Sequence, residues 1–356
     1  MNMKKGFIGC VALLFATTSV AQTEVTSGIM RGKDYGVTYM LPKSEIRITI
    51  TATKHTYKPG EFSKYANHYL RLSNIPSTQQ EYWTLNNVQA EVIGIPDKSK
   101  TYFVKLKDKT IAPLMELTED GIVKSINMPK ENNFIQKVQT STTAENAKKK
   151  LNPRDFLTEE ILMANSSAKM AELIAKEIYA IRESKNALLR GEADYMPKDG
   201  EQLKIMIENL ALQEEALTEM FAGSIKCATE TFTIRLTPKE IENEVVFRFS
   251  SKLGVVNKDN LAGEPYFISV INMHTPQIPI TVEEKKKELE GVVYNVPGRA
   301  SITLNNGSKT LYSAEHPITQ FGITEFLAPV LFNKNSVIKV LFDTNTGGLL
   351  KVDRGE

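Results

Sequence analysis

Across residues 45–52 apolar and polar side chains alternate one for one. Ile46, Ile48 and Ile50 fall on one side, Arg47, Thr49 and Thr51 on the other. A period of two is the mark of a strand with one buried face. Further strands are expected at 83–95 and 101–107, and 114–126 reads as a hairpin turning at Thr118-Glu119-Asp120-Gly121. Between them Tyr57-Lys58-Pro59-Gly60 carries a type II turn signal, with Pro59 suited to the second position of such a turn and Gly60 to the third. Phe62, Tyr65, Ala66 and Tyr69 then recur at helical spacing.

The period lengthens after residue 152. Asn152 can cap a helix and Pro153 suits its first turn. A short helix is expected at 154–163 and a long one at 166–190. The apolar stripe of the long helix is Met170, Leu173, Ile174, Ile178, Ile181 and Leu188, and Gly191 ends it. Asp199, three residues before Gln202, resembles a capping box. Leu203, Met206, Ile207, Leu210, Leu217, Met220 and Phe221 mark a second long helix, stopping near Gly223. Two amphipathic helices with a short link make an antiparallel hairpin. From residue 228 the period returns to two: Phe232, Ile234 and Leu236, then Val245, Phe247 and Phe249, with more strands at 266–270, 299–304, 336–342 and 349–352. Asn305-Asn306-Gly307-Ser308 and Asn345-Thr346-Gly347-Gly348 are turn signals.

The fold class is therefore α+β, with two β-rich, sandwich-like regions flanking an antiparallel helical hairpin. The expected division is an N-terminal β-rich domain at 22–128, a linker at 129–152, the helical hairpin at 153–224 and a C-terminal β-rich domain at 225–356. The linker is rich in Asn, Lys, Thr and Gln and poor in apolar side chains. The charge run at 283–290 reads as a solvated loop or frayed helix. Period alone leaves open whether the two β regions pack as one body.

Lys4 and Lys5, the apolar run at 7–16 and Ser19-Val20-Ala21 follow the order of a secretory signal occupying 1–21, cut between Ala21 and Gln22. The run falls short of the roughly 20 residues that a spanning helix needs. A lipoprotein reading would rest on Cys10, which has almost no apolar segment ahead of it. No later run has membrane length, so no transmembrane segment is expected in the mature chain. The expected place of work is outside the cytoplasm. The chain carries 44 Lys and Arg against 42 Asp and Glu. Removal of the two leader lysines balances the charge, which gives no argument for nucleic acid. Cleavage leaves Cys227 alone, so no internal disulfide can form. The thiol is expected to be a small buried hydrophobe. A catalytic thiol would need a partner such as His274 or His316, and nothing in the sequence signals one.

Local catalytic motifs are absent: no Gly-rich phosphate loop, no HExxH, no GxSxG. The four histidines are scattered without metal-ligand spacing. Asp343, Asn345 and Gly348 match part of a calcium loop, but Gly347 supplies no side-chain oxygen and Arg354 stands where Glu is needed, which favours a hairpin turn. Glu159-Glu160 and Glu214-Glu215 are adjacent pairs that point about 100° apart on a helix and do not converge. No catalytic, cofactor-binding or metal residue is assigned, and no cofactor is expected. Tyr57, Tyr65, Tyr69 and Trp83 are a candidate aromatic binding surface, against the commoner reading of such spacing as core. The sequence thus favours a non-enzymatic envelope protein that binds a protein or a glycan, or is structural. The alternative is a secreted hydrolase with a site assembled from distant residues. A deep pocket with convergent ionisable groups would discriminate between them.

Several stretches share one resemblance: Tyr57-Lys58-Pro59-Gly60-Glu61-Phe62, Gly94-Ile95-Pro96-Asp97-Lys98-Ser99-Lys100, Leu151-Asn152-Pro153-Arg154-Asp155, Ile181-Arg182-Glu183-Ser184-Lys185-Asn186-Ala187 and Tyr294-Asn295-Val296-Pro297-Gly298. They resemble an exported family of Gram-negative gut anaerobes, the domain of unknown function 4831, over nearly the whole mature chain. The resemblance implies an envelope location, in the periplasm, associated with the outer membrane or outside a Gram-negative cell. It supplies no activity, ligand or catalytic residue.

Overall fold

The structure, a computed structural model, describes residues 24–27, 36–105, 115–128, 151–197, 199–274, 291–327 and 338–354. The leader, most of the expected linker and the 283–290 charge run lie outside the described residues.

The alternation at 46–50 belongs to a strand much longer than the pattern marked. Strand β1 is Glu24–Ser27, β2 is Gly36–Lys58 and β3 is Gln80–Lys105. The two strands expected at 83–95 and 101–107 are one. Pro96 interrupts the apolar pattern without ending β3, because it lies opposite Pro42 beside a register shift in β2. Proline cannot donate to a ladder, so such irregularities are where strands tolerate it. The 114–126 hairpin is formed by β4 (Met115–Leu117) and β5 (Val123–Ile126), with Gly121 at positive φ in its turn.

Among the described residues the strands form three sheets. After the helices come β6 (Ser224–Leu236), β7 (Ile241–Ser250), β8 (Gly254–Asn257), β9 (Glu264–Asn272), β10 (Val292–Asn305), β11 (Thr310–Leu327), β12 (Ile338–Phe342) and β13 (Leu349–Arg354). The first sheet runs β1-β3-β2-β6, the second β11-β10-β9-β7-β8 and the third β13-β12-β5-β4. Strands from either side of the helices therefore share sheets. β6 pairs antiparallel with β2 from Ile46↔Leu236 to Lys58↔Ser224, and β12 pairs with β5.

The long strands feed two β cores. Beyond the bulge at Met40/Pro42, Ile46, Ile48 and Ile50 of β2 pack with Val88 and Ala90 against Phe247, Ile268 and Ile302 of the second sheet. Tyr39 before it and Leu41 within it join Val104, Ile126, Val293 and Val340 in a second core. The buried Tyr39 hydroxyl donates to Val293 O (3.1 Å) and accepts from Val293 N (2.8 Å). Burial pushes this phenol far up from its ordinary value. Polar groups that pair across the seam between the cores include Ser44 with Thr319, and Asn295 Nδ2 with Pro42 O and Thr346 O. The 343–348 segment is a hairpin turn, as expected. Asp343 accepts from Asn345 N and Thr346 Oγ1, so its carboxylate is used within the turn.

The helices form a third core. A 3-10 turn (Ser63–Tyr65) leads into α1 (Ala66–Leu70). The short helix expected at 154–163 is two pieces, a 3-10 turn (Pro153–Phe156) and α2 (Glu159–Leu162), because Leu157 and Thr158 are extended. Asn152 caps the first piece through Arg154 N. Helix α3 (Ser167–Arg190) is capped by Ser166 and ends at Gly191 in the left-handed region. Helix α4 (Gly200–Ala222) is capped by Asp199 through Glu201 N. Ile174, Ile178 and Ile181 of α3 meet Leu217 and Phe221 of α4, together with Phe62 and Ala66. In the first half of α4, Leu203, Ile207 and Leu210 are half-buried and Met206 is exposed.

Two glycines seat this helical unit on the first sheet. Gly60 does not take positive φ, so no type II turn forms there. A Cβ at Gly60 would fall 2.3 Å from Met220 O, where Phe62 N also binds. Close approach of α4, rather than turn geometry, requires the glycine. Gly223 joins α4 to β6 at φ 78, and a Cβ there would meet Lys58 O at 2.4 Å.

Candidate functional site

Where α4 turns into β6, the helices and the sheet leave a cleft of about 650 Å³. Arg182, Lys185, Glu214, Glu215, Thr218 and Ile225 are among the side chains lining it. Their placement follows from the helical period. Arg182 and Lys185 lie three residues apart on one flank of α3 and reach across to Glu214 on α4. Glu214 Oε1 accepts from Arg182 Nε at 2.6 Å, and Oε2 accepts from Lys185 Nζ. Burial works to raise the Glu214 carboxyl, but the bonds from Lys185 and Arg182 outweigh it and hold it below the ordinary carboxylate range. Glu214 is thus fixed in its charged form and is a poor proton donor near neutrality. Glu214 and Glu215 both line the cleft, Glu214 half-buried and Glu215 exposed. Thr218 Oγ1 is buried with no hydrogen-bond partner among the described residues.

The four aromatic candidates are divided between two packing interfaces. Tyr57 is buried where the sheet meets the helices, its hydroxyl 3.0 Å from the carbonyl oxygens of Pro76 and Ala222. Tyr65 and Tyr69 face each other, ring centroids 6.2 Å apart, half-buried against the helical core. Trp83 is half-buried between the sheets, beside Phe232 and above Gly254, where a Cβ would meet its ring at 2.9 Å.

Cys227 corrects an expectation: it is exposed, not buried. It lies on β6 directly opposite His55 of β2, and Sγ is 3.3 Å from His55 Nδ1. His274 and His316, the partners considered from sequence, are elsewhere. His316 bonds to Tyr312 (2.6 Å) and burial lowers its pKa. The strand parity that buries Ile46, Ile48 and Ile50 turns His55 outward. The parity of Phe232, Ile234 and Leu236 likewise turns Cys227 outward. That signal was in the sequence, whereas the pairing of β2 with β6 was not.

At the far end of the helical hairpin the packing changes. Leu189 is 62% exposed, Tyr195 90% and Ile205 52%, with Met196 and Met206 also exposed. Among the described residues no group of three or more His, Cys, Asp or Glu is placed to hold a metal ion, and no helix is long and apolar enough to cross a membrane.

Fold and cleft together define an α+β protein, a β-sandwich assembly with a helical hairpin inserted between β5 and β6. The chain belongs to the family described as Domain of unknown function (DUF4831), whose model matches residues 35–350. No curated protein and no solved structure matches it.

Proposed function

We propose that this is an exported cell-envelope protein that works by holding a protein partner rather than by catalysis. Export rests on the leader order at 1–21, with Ala21 and Gln22 at the cut. The observation that carries the binding reading is the hairpin tip. Ile174, Ile178, Leu217 and Phe221 are buried at its base, whereas Leu189, Tyr195, Met196, Ile205 and Met206 leave apolar surface exposed at the other end. Grouped exposed apolar side chains mark protein contacts more often than solvent-facing helices. The cleft argues the same way, since its Glu214 carboxylate is held charged by two cations. A glycan is less well supported, because Tyr57, Tyr65, Tyr69 and Trp83 are engaged in packing.

The test is crosslinking and pull-down of the tagged mature protein from its own envelope, beside an Ile205→Glu/Met206→Glu variant. The wild type should capture a partner that the variant loses, while both melt at the same temperature. Equal capture by both would remove the tip from the account. Fractionation of the producing cells tests export separately, since a cytoplasmic full-length chain still carrying 1–21 contradicts it.

A further inference from the structure

Across the outward face of the first sheet, Tyr82 of β3, His55 of β2 and Cys227 of β6 stand in one row, each opposite its neighbour. His55 Nε2 is 2.8 Å from Thr84 Oγ1, and Nδ1 is 3.3 Å from Cys227 Sγ. Tyr82 stacks on the imidazole, with ring centroids 4.7 Å apart and planes 9° apart. A nucleophile, a base within reach of it and a third group orienting that base is the arrangement that activates a thiol. In the tautomer that carries its proton on Nε2, that N–H donates to Thr84 Oγ1 and Nδ1 keeps its lone pair toward the thiol. The sulfur is open to reagents: Cys227 is exposed, and β6 is the last strand of its sheet among the described residues. Ile225, the preceding side chain on the same face, lines the cleft.

We propose that Cys227 and His55 form a thiol–imidazole pair that reacts with low-molecular-weight disulfides, making Cys227 a site of reversible mixed-disulfide modification. The Cys227 proton passes to His55 Nδ1 and the thiolate attacks one sulfur of R–S–S–R. The Cys227 S–S bond forms as the reagent's S–S bond breaks. The departing RS⁻ takes the proton back from the imidazolium. One disulfide and one thiol go in, and one mixed disulfide and one thiol come out, with no other oxidant. Thr84 is a positioning residue, holding the ring in the productive tautomer. Exchange fits better than hydrolysis because the row lies on an open sheet face, whereas the cleft's charges are paired with one another.

The experiment measures release of the aryl thiolate from the disulfide DTNB by the purified full chain carrying Cys10→Ser, so that Cys227 is the one thiol. At neutral pH the folded protein should react about tenfold or more faster than its His55→Gln variant, the lower end of what a positioned base contributes. In urea the two should react at the same rate, because only the fold brings His55 to Cys227. Thr84→Val should slow the folded protein and Thr84→Ser should restore it. Oxidised glutathione should then give a single adduct by intact mass, removed by reductant. Equal folded rates for wild type and His55→Gln overturn the proposal, as does a folded wild type slower than its own unfolded chain.

Discussion

At the scale of single residues, the firmest consequences come from groups whose partners are fixed and buried. Tyr39→Phe removes a hydroxyl that both gives to and takes from the Val293 backbone. The change leaves a buried N–H and C=O without that partner and should cost about 1–3 kcal/mol, read by chemical denaturation. An unchanged midpoint would mean that water replaces the phenol there. Glu214→Gln tests the cleft. The folded carboxyl is held below its ordinary value of 4.5, so the stability it contributes is present above that pH and is lost as pH falls through the lower folded value. The variant should be less stable than wild type by about 1–3 kcal/mol at neutral pH. The gap should close as the pH falls through the lowered folded value, in melts taken across the acidic range. A gap independent of pH would contradict the ion-pair assignment. Legibility at this scale was uneven. Parity could place His55 and Cys227 on the outward face, but they are 172 residues apart, and no local pattern reports a pairing of that range.

The elements were the most legible part of the chain, because helix and strand periods are local. The α3 stripe marked Ile174, Ile178 and Ile181, all buried, and Ser166 and Gly191 bound the helix as capping chemistry requires. Ile178→Asp should therefore cost about 3–5 kcal/mol, since it adds a buried unpaired charge and removes apolar contact. Glu183→Ala on the exposed flank should change stability by no more than about 0.5 kcal/mol. Comparable small shifts in their melting temperatures would place the stripe outside the core. The misreadings arose where a residue serves a contact remote in sequence. Pro59-Gly60 carries the letters of a type II turn, yet Gly60 is required by the backbone of α4 at Met220. Gly60→Ala should thus loosen the seat of the hairpin, costing about 1–3 kcal/mol. Faster hydrogen exchange in α4 than in β2 would show it, and unchanged exchange in both would refute the contact. The 154–163 region has helical letters, but extended Leu157 and Thr158 split it, and propensity carries no record of that tertiary choice.

On the scale of the whole molecule, what holds the β regions together is the return of the chain after the hairpin. α4 runs through Gly223 straight into β6, and β6 adds to β2 as the edge of the first sheet. The bulges at Met40/Pro42 and Val296/Gly298 lie within the long strands that supply both β cores. The sequence marked strands on either side of the helices but held no signal for which pairs with which, since pairing is decided by burial shared across the whole fold. The most direct test is a cross-strand disulfide. Thr53 and Thr229 are opposite one another on β2 and β6, with hydroxyl oxygens 3.0 Å apart. In a background lacking Cys10 and Cys227, Thr53→Cys/Thr229→Cys should close a bond under mild oxidation without disturbing the fold, while Thr53→Cys/Ala228→Cys, shifted by one residue, should not. Closure of the first pair alone is the expected result. Failure of that pair, or equal closure of both, would contradict the β2–β6 register on which the single β body and the Cys227–His55 pair depend.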